Sequence, residues 1–134
     1  MHDSLTIALL QAREAAMAYF RPIVKRHNLT EQQWRIVRVL AESPSMDFHD
    51  LAFRTCILRP SLTGILTRME RDGLVVEKPS PDDARAKRIC LTQDGRDFMN
   101  EILPPHYLRV TKLMEKLSEE EQHELIRLLK KLSG

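Results

Sequence analysis

Asp47-Phe48-His49-Asp50-Leu51-Ala52-Phe53-Arg54-Thr55-Cys56-Ile57-Leu58-Arg59-Pro60-Ser61-Leu62-Thr63-Gly64-Ile65-Leu66-Thr67-Arg68-Met69-Glu70-Arg71-Asp72-Gly73 is the stretch on which the fold turns. Asp47, with Asp50 three residues on, predicts the N-cap of a short helix over 48–54. Thr55-Cys56-Ile57-Leu58 then predicts a turn into a second helix. Pro60 suits the first turn of that helix, where its missing N–H costs nothing, and Gly73 suits the position just past its end. Leu62, Ile65, Leu66 and Met69 recur at i, i+3, i+4 and i+7, which predicts one buried stripe. The opposite face carries Ser61, Thr63, Gly64, Thr67, Arg68 and Arg71, with Arg59 at the start. Short side chains and guanidinium groups with no acid among them suit the major groove of DNA: the helix can approach closely while arginines reach base edges or phosphates.

Downstream, Leu74-Val75-Val76-Glu77-Lys78 predicts a strand, Pro79 to Ala84 a loop, and Arg85 to Thr92 a returning strand. A hairpin carrying Arg85, Lys87 and Arg88 beside a reading helix makes a winged helix-turn-helix. Asp82-Asp83 is a paired carboxylate, but it lies among prolines and arginines, so Asp83 is expected to orient Arg85 through a bidentate pair with its guanidinium. The bland alternative is an amphipathic helix and hairpin with a solvated charged face. The order of cap, turn, stripe and basic loop speaks against it.

These same residues carry a family resemblance. Pro60-Ser61, Thr63, Met69-Glu70 and Gly73-Leu74-Val75, followed by Asp83, Arg85, Ile89 and Leu91-Thr92, resemble the MarR family of bacterial transcription regulators. The second block is similar to that family's D-x-R-x-x-x-I/V-x-L-T wing signature and is the more specific. Leu29-Thr30, Trp34-Arg35-Ile36 and Val39-Leu40 extend the resemblance upstream. Within the family, the N-terminal two thirds look most like regulators of homoprotocatechuate (3,4-dihydroxyphenylacetate) degradation operons.

The resemblance implies a mainly α-helical homodimer with a small β wing, acting as a repressor on double-stranded DNA. Residues 30–95 would form the DNA-binding lobe, and 1–29 with 96–134 the helical dimerisation region. It also implies a crevice, walled by the first, second and fifth helices, that takes small aromatic acids; 3,4-dihydroxyphenylacetate or 4-hydroxyphenylacetate is the expected effector. Arg13, a cation in an alanine-rich helix, is the candidate carboxylate anchor, with Met17, Phe20, His27, Trp34 and Arg38 around it. A salt bridge or solvated face is the other reading of Arg13, a helix-terminal charge that of His27, and core that of Trp34.

The rest of the chain supports this layout. Ser4 to about His27 predicts a first helix, with Ser4 as its candidate cap, whose apolar face is too wide for a single neighbour and in which a bend is expected at Pro22. Thr30 with Gln33 is a capping box, and Leu29 with Trp34 a hydrophobic staple, for a second helix running to about Glu42. Its stripe is Trp34, Val37, Leu40 and Ala41, with Ile36 at the edge. Thr92 caps a further helix that Pro104-Pro105 should bend or break, and Ser118 with Glu121 is a second capping box opening the last one. At 134 residues a monomer would struggle to cover both end segments, which points to a two-fold dimer that interleaves them.

Composition excludes more than it selects. A net charge of +2 is too mild to call for nucleic acid by itself; the local clusters at 59–71 and 85–88 do that. The five histidines show no H-E-x-x-H, the two cysteines no C-x-x-C, and the four glycines no phosphate loop, so neither enzyme, cofactor nor metal site is expected. No long apolar run predicts a membrane span, and Cys56 and Cys90 are expected as reduced thiols in a cytoplasmic protein. The rival readings are a metal- or oxidant-responsive regulator of the same family and a winged-helix module that docks other proteins.

Overall fold

The computed structural model describes residues 2–83 and 85–134, with side chains for all of them except His2, Asp3 and His106. In chain order the elements are α1 (His2–Arg26), α2 (Glu31–Leu40), β1 (Met46–Asp47), α3 (Phe48–Thr55), α4 (Arg59–Arg71), β2 (Val75–Pro79), β3 (Lys87–Leu91), α5 (Gln93–Met114) and α6 (Glu119–Ser133). They divide into two compact units, Ile23–Leu103 and the two chain ends, Met1–Pro22 with Pro104–Gly134. The central unit is thus longer at both ends than the 30–95 lobe expected from sequence.

Local chemistry sets the helix boundaries of the central unit. Thr30 Oγ1 accepts from Gln33 N at 3.1 Å while Gln33 Oε1 accepts from Thr30 N at 3.0 Å, so the capping box opening α2 is complete. Asp47 Oδ1 accepts from Asp50 N at 2.7 Å and opens α3. The C-terminal ends of α1, α3 and α4 share one solution, a residue in left-handed backbone: Asn28, Cys56 and Gly73. In each, the next residue's N–H reaches back to a carbonyl five residues earlier: Leu29 to Val24, Ile57 to Ala52 and Leu74 to Met69. This double closure satisfies carbonyls that the helix end would leave orphaned.

β3 is the central strand of an antiparallel sheet ordered β1-β3-β2. β1 was not anticipated: Met46 pairs with Ile89 and Asp47 with Arg88. On the other side Val75 pairs with Leu91 and Pro79 with Lys87, closing the wing hairpin. Trp34, Val37 and Leu40 from α2, Leu51 from α3, Leu62, Leu66 and Met69 from α4, and Ile89 and Leu91 from β3 meet in one core. Ile36, expected at the edge of the α2 stripe, is fully buried in it, and Ala41 only partly so.

Two sequence expectations about the long helices need correction. Ser4 does not cap α1 but lies within it, and of the bend or break expected at Pro104-Pro105 no break occurs: α5 runs continuously through both prolines, as α1 does through Pro22. Each proline removes the donor that would reach the carbonyl four residues earlier, those of Ala18, Asn100 and Glu101. All three of these residues are exposed, so water can replace the missing partner and the helices continue. Both passages of the chain between the units fall beside these prolines.

Candidate nucleic-acid interface

The α4 helix buries Leu62, Leu66 and Met69 and turns Pro60, Gly64, Thr67 and Arg71 outward as a ridge. Two grooves flank that ridge. On one side Ser61, Gly64 and Arg68 share a groove of about 480 Å³ with Thr30, Gln32 and Gln33 from the start of α2. On the other, Thr63 and Thr67 share one of about 420 Å³ with Phe48, Glu77, Arg85 and Lys87, which brings the wing beside the helix. Thr63 Oγ1 donates to Arg59 O at 3.2 Å and Thr67 Oγ1 to Thr63 O at 2.9 Å. With the protons turned inward, each hydroxyl oxygen presents a lone pair and each side chain a methyl, suited to base amino groups and thymine methyls respectively.

This helix breaks three rules that α2, α3, α5 and α6 keep. Thr30, Asp47, Thr92 and Ser118 each accept a backbone N–H at a helix start, but Leu58 before α4 makes no such bond. α2, α3, α5 and α6 carry an acid in the first turn, favoured by the helix dipole, whereas α4 carries none and begins with Arg59. Gly64 sits in mid-helix, at a cost of about 1 kcal/mol relative to alanine, although a Cβ there would meet nothing within 4 Å. Among the described residues no contact requires a bare position at Gly64. A close-approaching anionic partner accounts for both the missing acids and the bare Gly64.

The remaining expected residues divide by what they touch. Arg59 meets His49 Nδ1 across the α3–α4 turn. Arg71 lies 3.9 Å from Asp72, and Lys87 Nζ 3.5 Å from Glu77 Oε2, both at exposed sites where such pairs hold weakly. Asp83 does organise the wing tip, but through the backbone: its Oδ1 accepts from Arg85 N at 3.0 Å, in place of the bidentate guanidinium pair expected. That short-range turn fixes where Arg85 leaves the chain and leaves its side chain exposed. Arg88, expected among the DNA contacts, donates from Nε to Ser45 Oγ at 2.7 Å and from Nη2 to Ser45 O at 3.0 Å. It fastens the loop before β1 to the central strand, a role that becomes visible only once β1 is.

The residues expected to hold a small acid are split between the units. In the central unit Trp34 is core at 6% exposure, His27 packs edge-on against Phe98 with ring centres 5.4 Å apart, and Arg38 pairs with Glu42 at 2.8 Å. Arg35, not singled out from sequence, has a buried Nε with no hydrogen-bond partner among the described residues; no contact in the structure explains it. In the terminal unit Arg13 lines a cavity of about 530 Å³ whose other walls are Leu9, alanines of α1, Leu113 and Met114 at the end of α5, Lys116 and Leu117 in the turn that follows, and Leu125 and Leu129 of α6. Met17 and Phe20 are half-buried but lie outside that lining. Arg21 donates to Glu14 at 2.7 Å and holds its carboxyl below the usual carboxylate range, so an ionised Glu14 stands 3.5 Å from Arg13.

Comparison with known proteins identifies this architecture. A sequence model of the MarR family matches residues 29–87. The homoprotocatechuate degradative operon repressor of Escherichia coli is 78% identical over 100 residues, covering 75% of this chain and 68% of the relative. The chain belongs to the MarR family. It is a winged helix-turn-helix regulator of transcription, not an enzyme. Among solved MarR-type structures, NadR in complex with 4-hydroxyphenylacetate superposes with a TM-score of 0.88 at 48% identity, over 96% of this chain and 91% of that one. The repressor CouR bound to a 23-mer DNA duplex gives 0.83 at 27% identity, over 97% and 92%. Among the described residues of this regulator, no helix is long and apolar enough to cross a membrane.

Proposed function

We propose that this regulator represses an aromatic-acid catabolic operon as a homodimer, and that a phenylacetate-type acid, 3,4-dihydroxyphenylacetate or 4-hydroxyphenylacetate, releases it from DNA. The observation that carries the DNA-reading part is the α4 surface, which gives up a cap, a favourable dipole charge and a mid-helix side chain at its outward face. Two α4 helices would enter successive major grooves about 34–36 Å apart on a pseudo-palindromic site. Thr63, Thr67 and Arg68 would meet base edges, Arg59, Ser61, Arg71 and Lys87 the phosphates, and Arg85 a flanking minor groove.

The dimer rests on the terminal unit. Among the described residues α6 has none buried, and Leu125, Ile126, Leu128, Leu129 and Leu132 are all exposed, as are Leu5, Ile7, Leu9 and Leu10 of α1. A second copy laid against these faces would remove them from water. Leu9, Leu125 and Leu129 also rim the Arg13 cavity, so the same pairing would roof it and leave a closed apolar chamber with a cation in its wall. Its volume lies within the roughly 300–1,000 Å³ of ordinary ligand sites. The choice of acid follows the relatives: one is a homoprotocatechuate operon repressor and another was solved with 4-hydroxyphenylacetate.

The test is fluorescence anisotropy of a labelled operator duplex, titrated with 4-hydroxyphenylacetate, its amide and the unsubstituted ring. The acid should release the DNA and the amide should not. Arg13→Ala should demand a higher acid concentration while binding DNA normally without it. Equal release by acid and amide would remove the carboxylate anchor, and release by none would remove the effector class.

A further inference from the structure

Among the described residues, the exposed large apolar side chains of the terminal unit are many, but the central unit has only two, Phe53 and Leu58. At 77% and 79% they are also the most exposed of all. They flank the α3–α4 turn, and Leu58 stands immediately before Arg59, the first residue of the reading helix. We propose that Leu58 is a specificity-determining residue that packs on the C5-methyl of a thymine in the operator, a contact resting on the reading of α4 given above.

The local backbone makes the choice of leucine informative. Leu58 is the N-cap of α4, with φ −64° and ψ 140°, the extended geometry that Thr30, Asp47 and Ser118 adopt at their own helix starts. Its carbonyl already accepts the first helical bond, from Leu62 N at 2.9 Å. A serine or aspartate would fit here with no change of backbone and would satisfy an orphan N–H. Leucine forgoes that bond and leaves a branched apolar group in water, so two unfavourable terms meet at one exposed residue.

The surroundings name the occupant. A reading helix directs its first residues at base edges. Among the four bases, thymine alone presents an apolar group on the major-groove edge. Arg59 and Ser61, next along the helix, are exposed and can hold the flanking backbone, so an apolar side chain beside them faces DNA rather than a protein. Phe53 belongs to α3 and does not precede the reading helix, which makes it the comparison residue.

The experiment begins by selecting binding sites for the full-length wild-type protein from a random duplex library. Each thymine of the selected site is then replaced by deoxyuridine, which deletes only the methyl. Affinities of wild type, Leu58→Ala, Leu58→Ser and Phe53→Ala are measured at fixed salt. In wild type, one thymine per half-site should lose about fourfold in affinity on losing its methyl, the value of burying one such group. The same replacement should have no effect in Leu58→Ala or Leu58→Ser and its full effect in Phe53→Ala. Leu58→Ser should melt higher than wild type, so its loss of methyl reading cannot come from misfolding. A methyl effect equal in all four proteins, or an affinity unchanged by Leu58→Ala, would overturn the proposal while leaving the α4 reading intact. If no defined site emerges from the selection, the reading of α4 falls and Leu58 with it.

Discussion

Replacing Gly64 with alanine should make the protein more stable and worse at its task. Glycine in a helix interior costs about 0.8–1.0 kcal/mol relative to alanine, through backbone entropy alone. A Cβ at position 64 would have nothing within 4 Å, so no steric term offsets the gain. For a chain of 134 residues such a gain raises the melting temperature by about 3–5 °C. On DNA the sign reverses. Gly64 lies on the outward ridge with Pro60, Thr67 and Arg71, the face that on the proposed docking enters the groove. An added methyl in a closely packed contact costs about 1–3 kcal/mol, roughly a five- to 150-fold loss of affinity. Urea denaturation at constant protein concentration gives the first quantity, and anisotropy on the operator at fixed salt gives the second. A variant that is stabilised and binds DNA as well as wild type would show that Gly64 is not at the interface. A destabilised variant would show that the glycine serves the fold after all.

Other perturbations separate the remaining parts. Arg85→Ala should weaken specific binding by about 1–3 kcal/mol with an unchanged urea midpoint, since the side chain is exposed and Asp83 holds only its amide. Arg71→Ala should weaken binding to all sequences alike and reduce the salt slope by about 1, read from affinities at several salt concentrations. Gly95→Ala should destabilise by about 3 kcal/mol or more in a urea titration, because a Cβ there would stand 2.3 Å from Leu74 O in a packed interior. Cys56→Gly should stabilise by about 0.5–1 kcal/mol and leave DNA affinity alone, because the left-handed backbone at φ 57° costs a residue with a Cβ about 1–2 kcal/mol.

What could be read from the sequence was what local chemistry decides. The capping boxes at Thr30 and Ser118, the Asp47 and Thr92 caps, Pro60 in the first turn of α4 and Gly73 beyond its end are all interactions between residues a few positions apart, and all are present. What was missed depends on partners distant in the chain. β1 is two residues long and carries no alternation of its own; it exists because β3 offers a free edge. Arg88 reads as a wing cation until Ser45, 43 positions away, is seen to take its donors. Ile36 looked marginal because a stripe drawn on one helix does not reveal how many elements converge on it. Likewise, the unbroken course of α5 depends on which side of the helix the prolines leave bare, a matter of burial and not of pattern.

The junction between α4 and α5 has a mechanical meaning. Thr92 Oγ1 donates to Gly73 O at 2.6 Å and accepts from Gly95 N at 3.0 Å, while Thr92 N donates to Leu74 O at 3.1 Å, and Gly95 lies against Leu74 with no room for a side chain. The exit of the reading helix and the entrance of α5, 18 positions apart in the chain, are therefore riveted together across the wing. When the start of α5 turns, the far end of the reading helix must turn with it, like two spokes sharing a hub. On the proposed function, a ligand that tilts the start of α5 would unseat the protein from DNA without ever coming near the groove.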